Sequence, residues 1–135
     1  MKAALLIYLS TATLLMTSLP AHAHENPTQK GQCFVVSQKN QIQKCTINTG
    51  GGAGGAYTAL KFADHQEYMI QESYMCEDMV ACSFSLGHTV EDMTEAKSYD
   101  RRFANQKITE KYYKNNWQCF RQIEGKIDVC YIETP

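Results

Sequence analysis

The chain has 135 residues, 13 Lys and Arg against 14 Asp and Glu, a formal net charge of −1, and six cysteines. That length suits one domain burying roughly two-thirds of its unfolded surface. The balanced charge excludes a globally basic nucleic-acid binder, and after residue 23 no apolar run is long enough to span a membrane.

Residues 1–23 read as a removable export signal of bacterial Sec type. Met1-Lys2 is a short positive start, the following stretch to Leu19 is apolar, Pro20 breaks it, and Ala21-His22-Ala23 fits a small-x-small cleavage site. No cysteine stands near that site, so no lipid attachment is expected there. The single exported domain is then 24–135, in the periplasm or the medium, where disulfides persist.

Residues 24–30 are polar and read as a loose lead-in. From Gln32 to Ile47, apolar residues flank a polar turn at Gln38-Lys39-Asn40, where Asn40 accepts the left-handed conformation that a three-residue hairpin loop needs. Centred on Lys39, this hairpin sets Cys33 opposite Cys45. The run Gly50-Gly51-Gly52-Ala53-Gly54-Gly55 contains a G-x-G-x-x-G string, but no βαβ unit surrounds it, so it reads as a flexible or turn-forming link between strands.

Thr58–Phe62 and Glu67–Gln71 flank a four-residue turn as a further hairpin. Ser83–Leu86 is a short strand ending at Gly87, and residues 90–97 suit about two helical turns behind a Thr89 cap with Asp92 three positions on. Residues 105–116 are polar and Lys-rich and read as a loop. At the C-terminus, Gln118-Cys119-Phe120 and Cys130-Tyr131-Ile132 echo the first hairpin. A two-residue loop at Glu124-Gly125 then places Cys119 opposite Cys130 as a hydrogen-bonded pair, with Cα atoms about 5.5 Å apart. The expected fold is mainly β: a small antiparallel β-hairpin or meander domain stapled by disulfides. An α+β arrangement is the alternative if residues 90–97 form a helix.

Six thiols in an exported chain imply three disulfides, and local spacing favours Cys33–Cys45, Cys76–Cys82 and Cys119–Cys130. Each closes a short loop worth roughly 2–3 kcal/mol. Spacings of 12, 6 and 11 positions and the lack of C-x-x-C argue against zinc or a redox couple.

Charge is segregated. Residues 64–96 hold eight acids and no Lys or Arg, whereas residues 97–126 hold eight bases against three acids. Left apart in the fold, such blocks create a dipolar surface; brought together by antiparallel strands, they neutralise each other. The first arrangement makes Glu77, Asp78, Glu91 and Asp92 the expected contacts for a basic protein partner. Soft thioethers with imidazole suit copper, which makes His24, His65, His88, Met75 and Met79 a candidate metal set. Trp117, Tyr112 and Tyr113 stand beside Lys111, Lys114 and Arg121, and Trp117 is expected to pack in the core against a disulfide. No catalytic residue and no cofactor is assigned. The function expected is a non-enzymatic binding module, an inhibitor of or adaptor to an envelope or extracellular protein, with no nucleic-acid partner. Periplasmic copper binding is the first alternative, and a small hydrolase using paired carboxylates is the second.

Overall fold

Apolar residues recur at every second position in short runs, as in Cys45-Thr46-Ile47 and Leu60-Lys61-Phe62, so each run can bury one face as a strand. The computed structural model describes residues 24–36, 39–76 and 83–135. The proposed export signal, Glu77, Asp78, Met79 and Cys82 lie outside the described residues. The strands are β1 (His24–Glu25), β2 (Gln29–Val35), β3 (Gln43–Gly52), β4 (Gly55–Phe62), β5 (Glu67–Ser73), β6 (Ser83–Gly87), β7 (Thr94–Arg101), β8 (Ile108–Thr109), β9 (Trp117–Gln122) and β10 (Asp128–Glu133).

All pairings among these strands are antiparallel. The run β2-β3-β4-β5-β6-β7 pairs in sequence order, β7 continues to β9 and β10, and β10 returns to pair with β2. The sheet thus closes into an eight-stranded up-and-down barrel, with β1 beside β3 and β8 beside β7. Closure leaves no long edge free for aggregation. We call the end carrying the β2–β3, β4–β5, β6–β7 and β9–β10 connections the upper end. The lower end carries the β3–β4 turn, the β5–β6 connection, the long β7–β9 segment and the C-terminal residues.

An eight-stranded barrel is just wide enough for side chains to fill it. The interior is filled by Cys33, Val35, Cys45, Ile47, Leu60, Phe62, Tyr68, Ile70, Leu86, Ala96, Phe120, Val129 and Tyr131, which form one buried cluster. Gln122 is buried with them; its side chain donates to the Leu86 carbonyl at 2.8 Å and accepts the Ile127 N–H at 3.1 Å. Gly125 lets the β9–β10 loop approach this amide, because a Cβ there would sit 1.9 Å from Gln122 Oε1. A second buried cluster, Phe34, Trp117, Cys119 and Cys130, has the opposite strand parity and lies on the outer wall.

The mainly β class and most strands match the sequence expectations, but several local features differ, among them the short β8 inside the expected 105–116 loop. The first hairpin is shifted by two residues: Cys33 faces Gln43 and Gly31 faces Cys45. The Cys33–Cys45 disulfide forms diagonally across the interior, with Cα atoms 5.9 Å apart. A slip of two preserves which side chains face inward, so burial tolerates it. Asn40 does take the left-handed conformation, together with Lys39, at φ 53° and 56°.

In the last hairpin the register is as expected, with Cys119 opposite Cys130 and Arg121 opposite Asp128. The hydrogen-bond phase is reversed. Gln122 N–H donates to the Ile127 carbonyl at 2.9 Å, so the loop spans residues 123–126 instead of two. Cys119 and Cys130 therefore occupy a non-hydrogen-bonded site, with Cα atoms 4.1 Å apart. The cause is visible on the neighbouring strand: Ile123 N–H leaves the hairpin and donates to the Glu95 carbonyl at 2.8 Å. The two look-alike hairpins also carry their disulfides on opposite faces, one inside the barrel and one outside. Cys76 is disulfide-bonded as well.

The expected helix at 90–97 is reduced to a 3-10 turn, Val90–Asp92, and Thr94–Arg101 is a strand. The capping signal was real, since Thr89 and Asp92 form a capping box. Pairing of β7 with both β6 and β9 outweighs the local helical preference of so short a segment. The glycine run is not a loose link. Gly50–Gly52 and Gly55 lie in strands, leaving a two-residue turn at Ala53-Gly54. At Gly55, φ is +157° and a Cβ would lie 2.1 Å from the Glu72 carbonyl oxygen, so only glycine fits. The polar lead-in likewise contains β1, paired with Gly50 and Gly51.

Candidate binding surfaces at the two ends of the barrel

The upper end gathers carboxylates from three connections. Glu91 and Asp92 are exposed in the β6–β7 turn, Asp64 lies in the β4–β5 turn, Glu124 in the β9–β10 loop, and Glu67 and Glu95 flank them near strand ends. Asp92 is already engaged: its Oδ1 accepts the Thr89 N–H at 2.7 Å. That backbone hydrogen bond is the main reason its carboxyl lies below the usual range, with the His88 N–H and the Thr89 hydroxyl adding to it. Asp64 accepts the Gln66 N–H at 3.1 Å. Glu67 pairs with Lys61 at 3.0 Å, both more than half exposed, so the pair is worth under about 1 kcal/mol. Glu77 and Asp78 lie outside the described residues, between Ser73 of β5 and Ser83 of β6 in sequence. Glu91 and Asp92 thus share their end with Asp64, Glu67, Glu95 and Glu124.

The upper end also holds Lys39 in the β2–β3 connection, Lys44 and Lys61 near strand ends, and Lys126 in the β9–β10 loop; the other bases of residues 97–126 lie elsewhere. Lys97 is directly opposite Arg121 on the outer wall, and the guanidiniums of Arg101 and Arg121 stand 5.3 and 5.7 Å from the Tyr99 ring centre. Arg102, Lys107, Lys111 and Lys114 follow in the lower β7–β9 segment. Among the described residues the one ion pair is Lys61–Glu67, so none joins acids of 64–96 to bases of 97–126.

Tyr99 links the basic wall to the adjacent strands. Its hydroxyl donates to Asp128 at 2.6 Å and accepts from Arg101 Nε at 3.2 Å. Burial, reinforced by the hydrogen bond to the Asp128 carboxylate, raises its pKa to about 12. The phenol ionises more readily in the unfolded chain, so this contribution to stability is whole below about pH 10 and is lost as pH rises to about 12. Tyr99→Phe is expected to delete the latest-ionising step from an alkaline absorbance titration; an unchanged late step would refute the assignment.

The lower mouth is polar inside. Alternation from Ile47, Leu60, Ile70, Ala96 and Phe120 turns Thr49, Thr58, Glu72, Ser98 and Gln118 inward below the apolar layer. Tyr131, only 8% exposed, forms the floor with Phe120, whose ring is 6.3 Å away and nearly parallel. Burial pushes the Tyr131 phenol up; the Thr58 hydrogen bond opposes this, and the nearby Glu133 and Glu72 charges add to it. A cavity of about 710 Å³ opens here, lined among others by Gln29, Lys114, Asn116, Gln118, Tyr131 and Glu133. Gln118 and Tyr131 stand out in the sequence only as hairpin positions and Lys114 only as a base beside aromatic residues. Their signal was polar residues at inward positions, which becomes readable only once the barrel's parity is known.

The described members of the candidate metal set are not brought together, and Met79 lies outside the described residues. His24 is on β1 at the lower end, His65 and His88 are at the upper end, and Met75 is largely exposed after β5. Among the described residues no three His, Cys, Asp or Glu side chains converge on one point. The His88 ring donates from Nδ1 to the Glu67 carbonyl at 2.8 Å and packs 4.8 Å from the Tyr68 ring. Trp117 is fully buried, as expected beside a disulfide, while Tyr112 and Tyr113 are exposed. No helix among the described residues is long and apolar enough to cross a membrane. Comparison with known proteins returns no match: no family model, no curated protein and no solved structure is similar to this chain.

Proposed function

We propose that the chain is an exported, non-enzymatic binding module, an inhibitor of or adaptor to another envelope or extracellular protein, and that its upper rim receives a basic region of that partner. The observation that carries this is the separation of the charge blocks. Carboxylates from Asp64, Glu91 and Glu95 meet at one end of a closed barrel, and no base of residues 97–126 pairs with them among the described residues. A disulfide-braced barrel holds them without the cost of ordering a loop on binding. An excess of unpaired acids on the rim steers a basic partner and speeds its docking.

The test uses Asp64→Lys, Glu91→Lys and Glu95→Lys together, sparing Asp92, which caps the turn, and Glu67, which is paired. A partner captured by the wild-type protein from periplasm and medium is purified and titrated against both forms. The triple variant should bind about tenfold or more weakly at low salt, with the gap closing at high salt. Equal affinity at low salt would overturn the reading.

A further inference from the structure

At the opposite end, the segment joining β7 to β9 combines two properties that a solvated loop does not need together. Four large apolar side chains are exposed on it: Tyr112 at 81%, Ile108 at 60%, Phe103 at 48% and Tyr113 at 46%. The same stretch carries Arg102, Lys107, Lys111 and Lys114 against a single acid, Glu110. Those bases make no ion pair among the described residues.

The segment is held in shape. Arg102 N–H donates to the Lys107 carbonyl and Gln106 N–H to the Arg102 carbonyl, both at 2.9 Å. Asn116 Nδ2 donates to the Lys111 carbonyl at 2.9 Å. β8 pairs with the end of β7, so Ile108, Arg101 and Trp117 form one outward row across three strands. Phe103 stacks on Trp117 with ring centres 5.6 Å apart, and Arg102 lies over Tyr113 at 6.0 Å. The apolar and basic groups therefore stand on an ordered platform that projects from the lower end.

We infer that this platform docks on an anionic lipid bilayer surface. Tyrosine and phenylalanine settle at the headgroup level, an exposed isoleucine gains by entering the acyl boundary, and lysines and arginines are drawn to anionic headgroups. A soluble polyanion would satisfy the bases and leave Ile108 and Phe103 in water, so a surface with both charge and apolar depth is the better complement. Docked this way, the barrel turns its acidic upper rim away from the anionic surface.

The probe is co-sedimentation with vesicles of phosphatidylglycerol and phosphatidylcholine, compared with phosphatidylcholine alone. Wild-type protein should pellet with the anionic vesicles, not with the neutral ones, and release as salt rises. Lys107→Gln/Lys111→Gln/Lys114→Gln should weaken partitioning about tenfold or more. Ile108→Ser/Tyr112→Ser should weaken it several-fold with the charge unchanged. Hydrogen exchange on the wild-type protein supplies a variant-free readout, with slower exchange expected in residues 102–116 when vesicles are added. No pelleting with anionic vesicles would overturn the inference. So would pelleting indifferent to Ile108→Ser/Tyr112→Ser, with soluble polyphosphate competing it away fully, because that outcome assigns the bases to a soluble polyanion.

Discussion

Replacing Cys33 and Cys45 together by alanine should lower the unfolding free energy by about 3 kcal/mol. The bridge closes a loop of sequence separation 12, whose chain-entropy value in the unfolded state accounts for most of that figure. Both sulfurs lie inside the barrel, against the layer that contains Val35, Ile47 and Phe62, so their removal also leaves a void. A small domain has only about 5–15 kcal/mol in total, and reduction of every bridge should unfold or loosen this one. Equilibrium denaturation of the double variant checks the first statement, and thermal melting with and without reductant checks the second. A loss below about 1 kcal/mol, or a reduced protein melting at the same temperature, would show that the barrel does not depend on its staples.

Trp117→Ala is expected to be at least as damaging, at about 3–5 kcal/mol. The indole is fully buried on the outer wall, edge-on to Phe34 at 4.9 Å and under Phe103 at 5.6 Å, in the cluster that also contains Cys119 and Cys130. Its Nε1 has no hydrogen-bond partner among the described residues, so its packing carries the contribution alone. Trp117→Phe should therefore cost far less than Trp117→Ala, since it removes an unsatisfied donor along with some volume. Because Phe103 rests on the indole, the alanine variant should also expose the β7–β9 segment to proteolysis within residues 102–116. The chain has one tryptophan, so circular dichroism replaces fluorescence as the unfolding signal. Similar losses for Phe and Ala would indicate that the wall does not pack on this ring.

Local patterning accounts for part of this fold and stops where distant strands intervene. Cys119 opposite Cys130 was legible because Arg121–Asp128 and Phe120–Val129 agree on that register. The hydrogen-bond phase was not legible, because it depends on Ile123 bonding to Glu95 on another strand. At residues 90–97 the Thr89–Asp92 capping box is legible in the sequence, yet nothing nearby in sequence announces the two strands that claim Thr94–Arg101. The charge blocks were counted from sequence, whereas their separation in space was open until the topology placed Asp64, Glu91 and Glu95 at one end and the Arg102–Lys114 segment at the other. The inward polar residues around Tyr131 were invisible for the same reason.

By itself, the sequence determined the mainly β class and most of the strands, and its spacing favoured the pairing of Cys33 with Cys45 and of Cys119 with Cys130, because these depend on period-2 patterning and short separations. Tertiary structure alone decided that β10 returns to β2 and closes the barrel, that one hairpin's disulfide faces in and the other's faces out, and that the basic segment stands apart from the acidic rim. Those are relations between residues up to about a hundred positions apart, set by the closure of the whole sheet, and no local pattern of side chains encodes them.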